Sequence, residues 1–257
     1  MDLVNYKVKE RVAYITLNRP EKRNALSYDF VQFIKDTFKK AEADENCKVI
    51  VIKANGEAFC SGADLASLQK LQTNTDDENL QDSLHLMELY KMIHLSPKVV
   101  ISQVEGAALA GGCGLASICD FCFSTPTSKF AYTEVKIGFV PAIVMVFLIR
   151  KIGETNARSM MLTGDIIDAQ KALQFGLINA IIDAELIEEE VFEFAKKLCK
   201  QTSSQSIALT KQMIAEVQNL SMDEALQYAA KMNMKARKSD DCKKGINAFL
   251  NKEKLSW

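Results

Sequence analysis

The chain has 257 residues, of which 48% are hydrophobic and 25% are charged. This length and composition predict one large folded core with an appendage, and they exclude disordered, collagen-like and coiled-coil chains. Because 32 Lys and Arg balance 33 Asp and Glu, the chain has no overall positive field to attract nucleic acid or an anionic membrane. We therefore expect neither of these as a partner.

The numbers of histidine and cysteine residues limit the kinds of catalytic and metal sites that the chain can form. The histidines are His85 and His94, too few for a His-based metal cluster or a catalytic triad, so we expect no metal site and carboxylates as acid and base. Seven cysteines scattered along the chain indicate reduced thiols. Because the amino terminus lacks an apolar leader, and no apolar run reaches about 18 residues, we expect a cytoplasmic protein.

The first half of the chain alternates strand and helix patterns. A β-branched stretch over 8–17 predicts a strand or hairpin, and Ser27 is placed to cap an amphipathic helix that runs to Ala41. The continuous apolar run Val49–Ile52 is typical of a strand covered on both faces, and a second apolar run, Val99–Val104, repeats the pattern with Ser102 and Gln103 inside it. This order predicts an α/β fold with parallel strands joined by crossover helices.

Three further segments complete the predicted organisation. The polar run from Gln72 to Asn79 predicts a mobile loop or lid. A helix over 169–175 stops at Gly176 and precedes a predicted strand over 178–182. From Leu186 onward apolar residues recur at spacings of three and four, so about the last sixty residues are predicted to be helical.

The first of two glycine-bearing turns covers residues 58–65, after the first apolar run. Gly62 allows a tight turn, and Asp64 is placed to cap the helix that begins there. Backbone N–H groups left free at such a junction can hold an anion. The turn could equally be an ordinary tight connection.

The second turn covers residues 106–116, where Gly111 and Gly112 are predicted to open a helix after the second apolar run. Small residues throughout it let the backbone approach a ligand closely. The turn does not match a nucleotide-binding loop, because it lacks the Lys and Ser/Thr of a P-loop and has Ser117 where the dinucleotide pattern needs its last glycine. Together the two turns offer two backbone donors that could converge on one oxygen as an oxyanion hole.

An oxyanion hole needs a group that moves protons. Glu134 lies in the apolar segment 130–135, a setting that raises the pKa of a carboxyl group toward the range useful for acid and base catalysis. A buried glutamate could instead serve as a structural hydrogen-bond partner.

Several short motifs occur together in one order along nearly the whole chain. They are Asn18-Arg19-Pro20, Asn24-Ala25-Leu26, the 59–65 turn, the 106–114 turn, Thr133-Glu134, Thr163-Gly164, and Ala169 and Ala172 with Gly176-Leu177-Ile178. In this combination the chain resembles the crotonase family of enoyl-CoA hydratases and isomerases.

The resemblance implies a spiral of repeated ββα units over residues 1–197 and a helical oligomerisation region over 198–257. It implies assembly as a homotrimer, or as a hexamer of two trimers. It also implies an acyl-CoA substrate whose thioester oxygen is held by the N–H groups of Ala63 and Gly111. No separate cofactor is expected, since coenzyme A is part of the substrate.

Further contacts to CoA are implied by the same resemblance. Residues of the first turn are expected along the CoA, Ala25 near its adenine, and Lys22 or Arg23 near its phosphates. Phe249 and Lys252 are expected to reach CoA from a neighbouring subunit, although a solvated surface charge is an equally good interpretation of each lysine. The expected residues of the first turn are Ala63, Asp64, Leu65 and Ala66.

One departure from the family concerns the mechanism. Hydratases of the family carry a second glutamate at the position that is Gly114 here, which leaves Glu134 as the one carboxyl group. A single carboxyl group suits a proton shuttle, as in the family's isomerases, and it could also orient water and deliver a proton during hydration.

A second departure lies in the segment from Glu134 to Ala142. Its sequence resembles that of the branch of the family that includes 3-methylglutaconyl-CoA hydratases. We therefore expect hydration of short or branched 2-enoyl-CoA esters, or the reverse dehydration, with isomerisation as the close alternative. A non-catalytic acyl-CoA binder, or a scaffold that binds no CoA, would represent another class of function.

Overall fold

The structure is a computed structural model that describes residues 2–257. It confirms the α/β class and the repeated ββα units, which build two sheets. The larger sheet has the order β1-β2-β3-β5-β7-β10, with these bounds: β1 Val4–Lys9, β2 Val12–Leu17, β3 Val49–Ala54, β5 Val99–Val104, β7 Phe121–Ser124 and β10 Ala180–Ile181. The smaller sheet has the order β4-β6-β8-β9, with these bounds: β4 Ala58–Cys60, β6 Ala107–Leu109, β8 Lys129–Ala131 and β9 Ile167–Asp168.

Helices connect and cover these strands, and two single-turn 3₁₀ helices lie at 20–22 and 134–137. The α-helices are α1 Tyr28–Ala43, α2 Leu65–Lys70, α3 Asp76–Leu95, α4 Gly111–Ser117, α5 Ala142–Thr163, α6 Ala169–Gln174, α7 Ile187–Gln201, α8 Ser204–Val217, α9 Met222–Arg237 and α10 Asp240–Leu250. Among residues 2–257, no helix is long and apolar enough to cross a membrane.

The central strands β3 and β5 of the larger sheet are covered on both faces, as their apolar runs predict. Along β3, Ile50 and Ile52 face the core that α1 and α4 cover, whereas Val49 and Val51 face the core that α7 covers. Successive strand residues point to opposite faces, so a strand covered on both sides is rich in apolar residues. The predicted 8–17 element is a hairpin, β1 and β2, which turns at Glu10 and Arg11.

Three local predictions need correction. The second half of the polar run, 76–79, is helical, because α3 begins at Asp76 after a reciprocal cap in which Thr75 and Glu78 bond to each other's backbone N–H. The predicted 178–182 strand shrinks to β10, which pairs with β7 over two residues. The two glycine-bearing turns do lead into helices, but each helix follows a short strand, β4 or β6, and not the apolar strand β3 or β5 directly.

Helices α8 to α10 lie outside both sheets. Neither α8 nor α9 buries a side chain within the chain, and α10 buries Ala248 alone. The division at residue 197 falls inside α7 and stays a prediction. The region from α8 to α10 carries large apolar side chains that are more than one-third exposed, namely Ile214, Leu220, Met222, Leu226, Met234, Ile246, Phe249 and Leu250.

Gly106 connects the two sheets at a point where no side chain fits. It has φ +91°, and a Cβ there would lie 2.0 Å from the carbonyl oxygen of Glu57, just before β4. Gly176 has a similar φ of +75°, but a Cβ there would meet no atom within 4 Å. An alanine at either position would strain the backbone, but only at position 106 would it also overlap another part of the chain.

We expect Gly106→Ala to lower the free energy of unfolding by about 3 kcal/mol or more, because β4 must move to relieve the overlap. Gly176→Ala should cost about 1–2 kcal/mol, from the left-handed backbone conformation alone. Equilibrium unfolding in urea measures both. Equal losses for the two variants would contradict the packing described here.

Candidate active site

The smaller sheet brings the loops after three of its strands to one edge. Strands β4, β6 and β8 are parallel neighbours in that order. Two or three residues after each strand come Ala63, Gly111 and Glu134, respectively. Because the carboxyl ends of parallel strands meet at the same edge of a sheet, these three residues share one edge, where ligands of α/β proteins commonly bind.

The N–H of Ala63 is left free by the way its neighbours are bonded. Leu26 donates to the carbonyl oxygen of Gly62 at 2.7 Å and accepts from the N–H of Asp64 at 3.1 Å. This bridge uses the groups on either side of Ala63. Within residues 2–257 the N–H of Ala63 itself has no acceptor, and Ala63 is exposed.

Gly111 offers a second free donor at the start of α4. Its neighbour Ala110 has φ +49° and ψ −125°, a region that only glycine enters without strain. The N–H of Ala110 donates to Ala131 at 2.8 Å, and its carbonyl oxygen accepts from Gly114 at 3.1 Å. Across residues 2–257 no acceptor meets the N–H of Gly111.

The two turns are in direct contact at Gly62. A Cβ on Gly62 would lie 2.8 Å from the Cβ of Ala110 and 3.6 Å from the nitrogen of Gly111. Any side chain at position 62 would therefore force the two turns apart. The glycine lets both free donors occupy one small region of the sheet edge.

Glu134 begins the single helical turn after β8. It is half-buried, and among the described residues its Oε2 atom is buried without a hydrogen-bond partner. Burial raises the pKa of this carboxyl group above its ordinary value. An unpartnered carboxylate oxygen with a raised pKa is suited to accept a proton and return it.

The space beside Gly114 is filled, so no second carboxyl group could be placed there. A Cβ on Gly114 would lie 2.3 Å from Cγ1 of Val144, which α5 supplies, and 3.2 Å from the hydroxyl oxygen of Tyr90. Val144 is itself buried. The departure at Gly114 is therefore matched by packing from α5.

The carboxylate of Asp64 is buried and bonded within the chain, and contact of this residue with CoA stays a prediction. Its carboxylate caps α2 by accepting from Ala66 N–H at 2.9 Å, and it forms an ion pair with Arg19 at 2.9 Å. Burial raises the pKa of Asp64, but the Ala66 hydrogen bond and the Arg19 guanidinium outweigh burial and hold the pKa below its ordinary value. Arg19 also donates to the carbonyl oxygen of Ala25 at 3.0 Å, which ties the 19–26 segment to this turn.

The other residues expected near CoA fall into two groups. Lys22 and Arg23 are exposed in the 19–26 segment, beside the first turn, where Ser61 N–H donates to the Arg23 carbonyl oxygen at 3.0 Å. Phe249 lies on α10 and is 84% exposed, and Lys252 follows α10. Their contact with CoA stays a prediction.

The cysteines near the two turns are inert fillers. Burial raises the pKa of Cys60 and of Cys113 to about 12, so both remain thiols at neutral pH. Within residues 2–257, no three His, Cys, Asp or Glu side chains are grouped to hold a metal ion.

Sequence reasoning missed Tyr90, which lies on α3 and is fully buried. Its hydroxyl group donates to the carbonyl oxygen of Gly111 at 2.7 Å. A buried tyrosine hydroxyl group needs a hydrogen-bond partner. Nothing in the sequence identifies that partner, because it lies 21 residues away in another unit of the spiral.

Comparison with known proteins shows the family to which the chain belongs. Residues 7–257 match the sequence profile described as Enoyl-CoA hydratase/isomerase. A Thermus thermophilus protein, which is named among the enoyl-CoA hydratases, is 36% identical over 244 residues that cover 95% of this chain and 96% of that protein. A crotonyl-CoA hydratase of Syntrophomonas wolfei is 30% identical, with 97% of this chain and 95% of that protein covered.

A solved structure gives the same result in three dimensions. The crystal structure of an enoyl-CoA hydratase from Shewanella pealeana superposes with a TM-score of 0.92 at 29% identity, covering 100% of this chain and 96% of that one. The chain is therefore an enzyme of the enoyl-CoA hydratase/isomerase family, the crotonase family.

Proposed function

We propose that this enzyme adds water to 2-enoyl-CoA thioesters, or removes it from 3-hydroxyacyl-CoA thioesters. Ala63 and Gly111 act as oxyanion donors, and Glu134 acts as base and acid. The observation that carries the proposal is the shared sheet edge, which holds two free backbone N–H groups and one unpartnered carboxylate oxygen. The crotonyl-CoA hydratase relative supports the same reaction class.

The proposed reaction passes through an enolate. Glu134 takes a proton from water as the water oxygen bonds to C3, and the C2–C3 π electrons move toward the thioester to give a negatively charged oxygen. That charge is greater in the transition state than in the substrate, so donors fixed on the oxygen lower the barrier. Removal of one such donor typically costs about 3–4 kcal/mol. Protonation of C2 by Glu134 then completes the addition.

One carboxyl group is sufficient for this sequence because it acts as base first and as acid second. The same group could instead take a proton from C2 of a 3-enoyl chain, which gives an enolate, and return it at C4 as the double bond moves to C2–C3; the reverse reaction takes the proton from C4 of a 2-enoyl chain and returns it at C2. The specific observation that favours this second candidate, isomerisation, is that Val144 fills the space beside Gly114. Both reactions share the enolate and the two donors.

The proposed substrate is a short or branched 2-enoyl-CoA, including 3-methylglutaconyl-CoA. The branched class is supported by the sequence of the Glu134–Ala142 segment. For the CoA portion we propose contacts with the backbone of 63–66, with Ala25, and with Lys22 or Arg23. Support for these contacts comes from the way the 19–26 segment is bonded beside the first turn.

We also propose that the chain assembles as a homotrimer or hexamer. Helices α8 to α10 expose a series of large apolar side chains, a surface that a monomer would leave in contact with water. Phe249 and Lys252 would then reach CoA bound to a neighbouring chain.

Glu134→Gln keeps the size of the side chain and removes its ability to take a proton. We expect the hydration of crotonyl-CoA to fall by about a thousandfold or more. The matched control is Glu105→Gln, at a half-buried glutamate whose carboxylate accepts a hydrogen bond from Gln103 at 2.7 Å, and this variant should stay close to wild type. Product mass decides the reaction, because a gain of one water indicates hydration whereas a moved double bond at constant mass indicates isomerisation.

The pH dependence provides a second readout for Glu134. Because burial raises the pKa of this carboxyl group, the acid limb of kcat/KM should lie above the ordinary carboxyl range of about 4.3. Between the ordinary and the raised pKa the folded state holds more protons than the unfolded state, so stability should fall as the pH rises through that window. Glu134→Gln should abolish this fall in the free energy of unfolding. If Glu134→Gln hydrates crotonyl-CoA at the wild-type rate, Glu134 takes no part in the mechanism.

Light scattering of the purified protein should give a mass of three or six chains. Leu226→Lys, which places a charge on the apolar surface of α9, should lower that mass. Leu186→Lys serves as control, because this exposed leucine lies outside α8 to α10. A wild-type monomer at micromolar concentration would contradict the proposed assembly.

A further inference from the structure

The hydroxyl group of Tyr90 lies against the first turn of α4. It donates to the carbonyl oxygen of Gly111 at 2.7 Å. It would also lie 3.1 Å from a Cβ on Gly111 and 3.2 Å from a Cβ on Gly114. Glycines at both positions thus allow the hydroxyl group to approach the backbone that carries the proposed Gly111 donor.

The backbone at this donor requires external support. The peptide that supplies the N–H joins Ala110, held at φ +49°, to a glycine that has no side chain to restrict it. A non-glycine residue stays in this region only when its surroundings hold it there. On the amino-terminal side, Ala110 is held by its bonds to Ala131 and Gly114. On the Gly111 side, the side-chain contact that holds the backbone is the Tyr90 hydroxyl group.

We propose that Tyr90 is a positioning residue for the oxyanion hole, because its hydroxyl group fixes the orientation of the Gly111 backbone and hence of the Gly111 N–H. This inference rests on the proposed function, since it assumes that the Gly111 N–H receives the thioester oxygen. Tyr90 is fully buried, and the proposed route of its effect is the hydrogen bond from its hydroxyl group to the Gly111 carbonyl oxygen.

The surrounding core packs around the ring of Tyr90. Its ring meets the edge of the Phe147 ring at 6.4 Å between centroids, and Phe147 belongs to α5. Burial raises the pKa of Tyr90 well above its ordinary value, so the hydroxyl group keeps its proton and remains a donor to Gly111. A hydrogen bond in such an enclosed position keeps a fixed direction.

The chain supplies a matched control in Tyr132. This tyrosine is also fully buried, but its hydroxyl group bonds to the Ser117 hydroxyl group at 3.1 Å, at the opposite end of α4. Tyr132→Phe removes an equally buried hydroxyl group that contacts the same helix, α4, but bonds to Ser117 and not to Gly111. If Tyr90 only stabilises the core, the two substitutions should have the same consequences.

The experiment compares Tyr90→Phe with Tyr132→Phe in the full-length protein. Butyryl-CoA serves as probe, because it is saturated and cannot be hydrated, yet its α-protons exchange with deuterium in D₂O when an enolate forms. Exchange rate, butyryl-CoA affinity and urea unfolding are measured for each variant, together with kcat and KM for crotonyl-CoA. A further variant carries 4-aminophenylalanine in place of Tyr90, whose N–H can still donate to Gly111.

We expect Tyr90→Phe to lower α-proton exchange and kcat by about tenfold, the effect of one buried hydrogen bond, with affinity and KM within about twofold of wild type. Tyr132→Phe should leave exchange within about twofold while losing similar stability. The 4-aminophenylalanine variant should recover most of the exchange.

Three results would overturn the inference. Unchanged exchange in Tyr90→Phe would contradict it, as would an equal loss in Tyr132→Phe. If 4-aminophenylalanine folds but exchange stays at the Tyr90→Phe level, the donated hydrogen bond is not the cause. Failure of the proposed function is distinguished by the wild type: a wild-type protein that binds butyryl-CoA without exchange forms no enolate, which overturns both proposals together.

Discussion

The parallel pairing of β4, β6 and β8 is the constraint on which the site depends. Each of these strands is only three residues long, so the chain leaves the smaller sheet almost as soon as it enters it. The departing loops bring Ala63, Gly111 and Glu134 to one edge. Close approach of the first two loops depends on Gly62, where a Cβ would lie 2.8 Å from Ala110. Displacement of one short strand would therefore separate the two donors from each other and from the carboxyl group.

The charge of the chain explains little about this site, since backbone dipoles carry the proposed anion stabilisation. A peptide N–H adds nothing to the net charge of −1, yet in a site without water it can stabilise an enolate oxygen. Glu134 is half-buried and has a raised pKa, as its apolar sequence context predicts. The other carboxylate beside the two donors, Asp64, is neutralised within the chain by Arg19.

The sequence was sufficient for the features that local physics determines. The buried strands β3 and β5 follow from their apolar runs, and the caps at Ser27 and Asp64 follow from residue type and position. It failed where polar composition hid a local signal: residues 76–79 of the polar run are helical because of the reciprocal cap at Thr75. It also failed for β4 and β6, because three-residue strands carry no periodic pattern.

Contacts between distant parts of the chain account for the remaining gaps in prediction. Gly114 could be recognised as a departure from the family, but only the structure shows that Val144 fills the space beside it. The sequence likewise does not identify Tyr90 as a donor to Gly111. Both contacts join residues at least 21 positions apart in the chain, which no local pattern encodes. The proposed mechanism depends on two backbone N–H groups that hold the thioester oxygen. Infrared spectroscopy of bound [1-¹³C]butyryl-CoA measures this contact: we predict a carbonyl stretch at lower frequency than in free butyryl-CoA, whereas an unshifted stretch in the bound ester would mean that the two donors do not hold the oxygen.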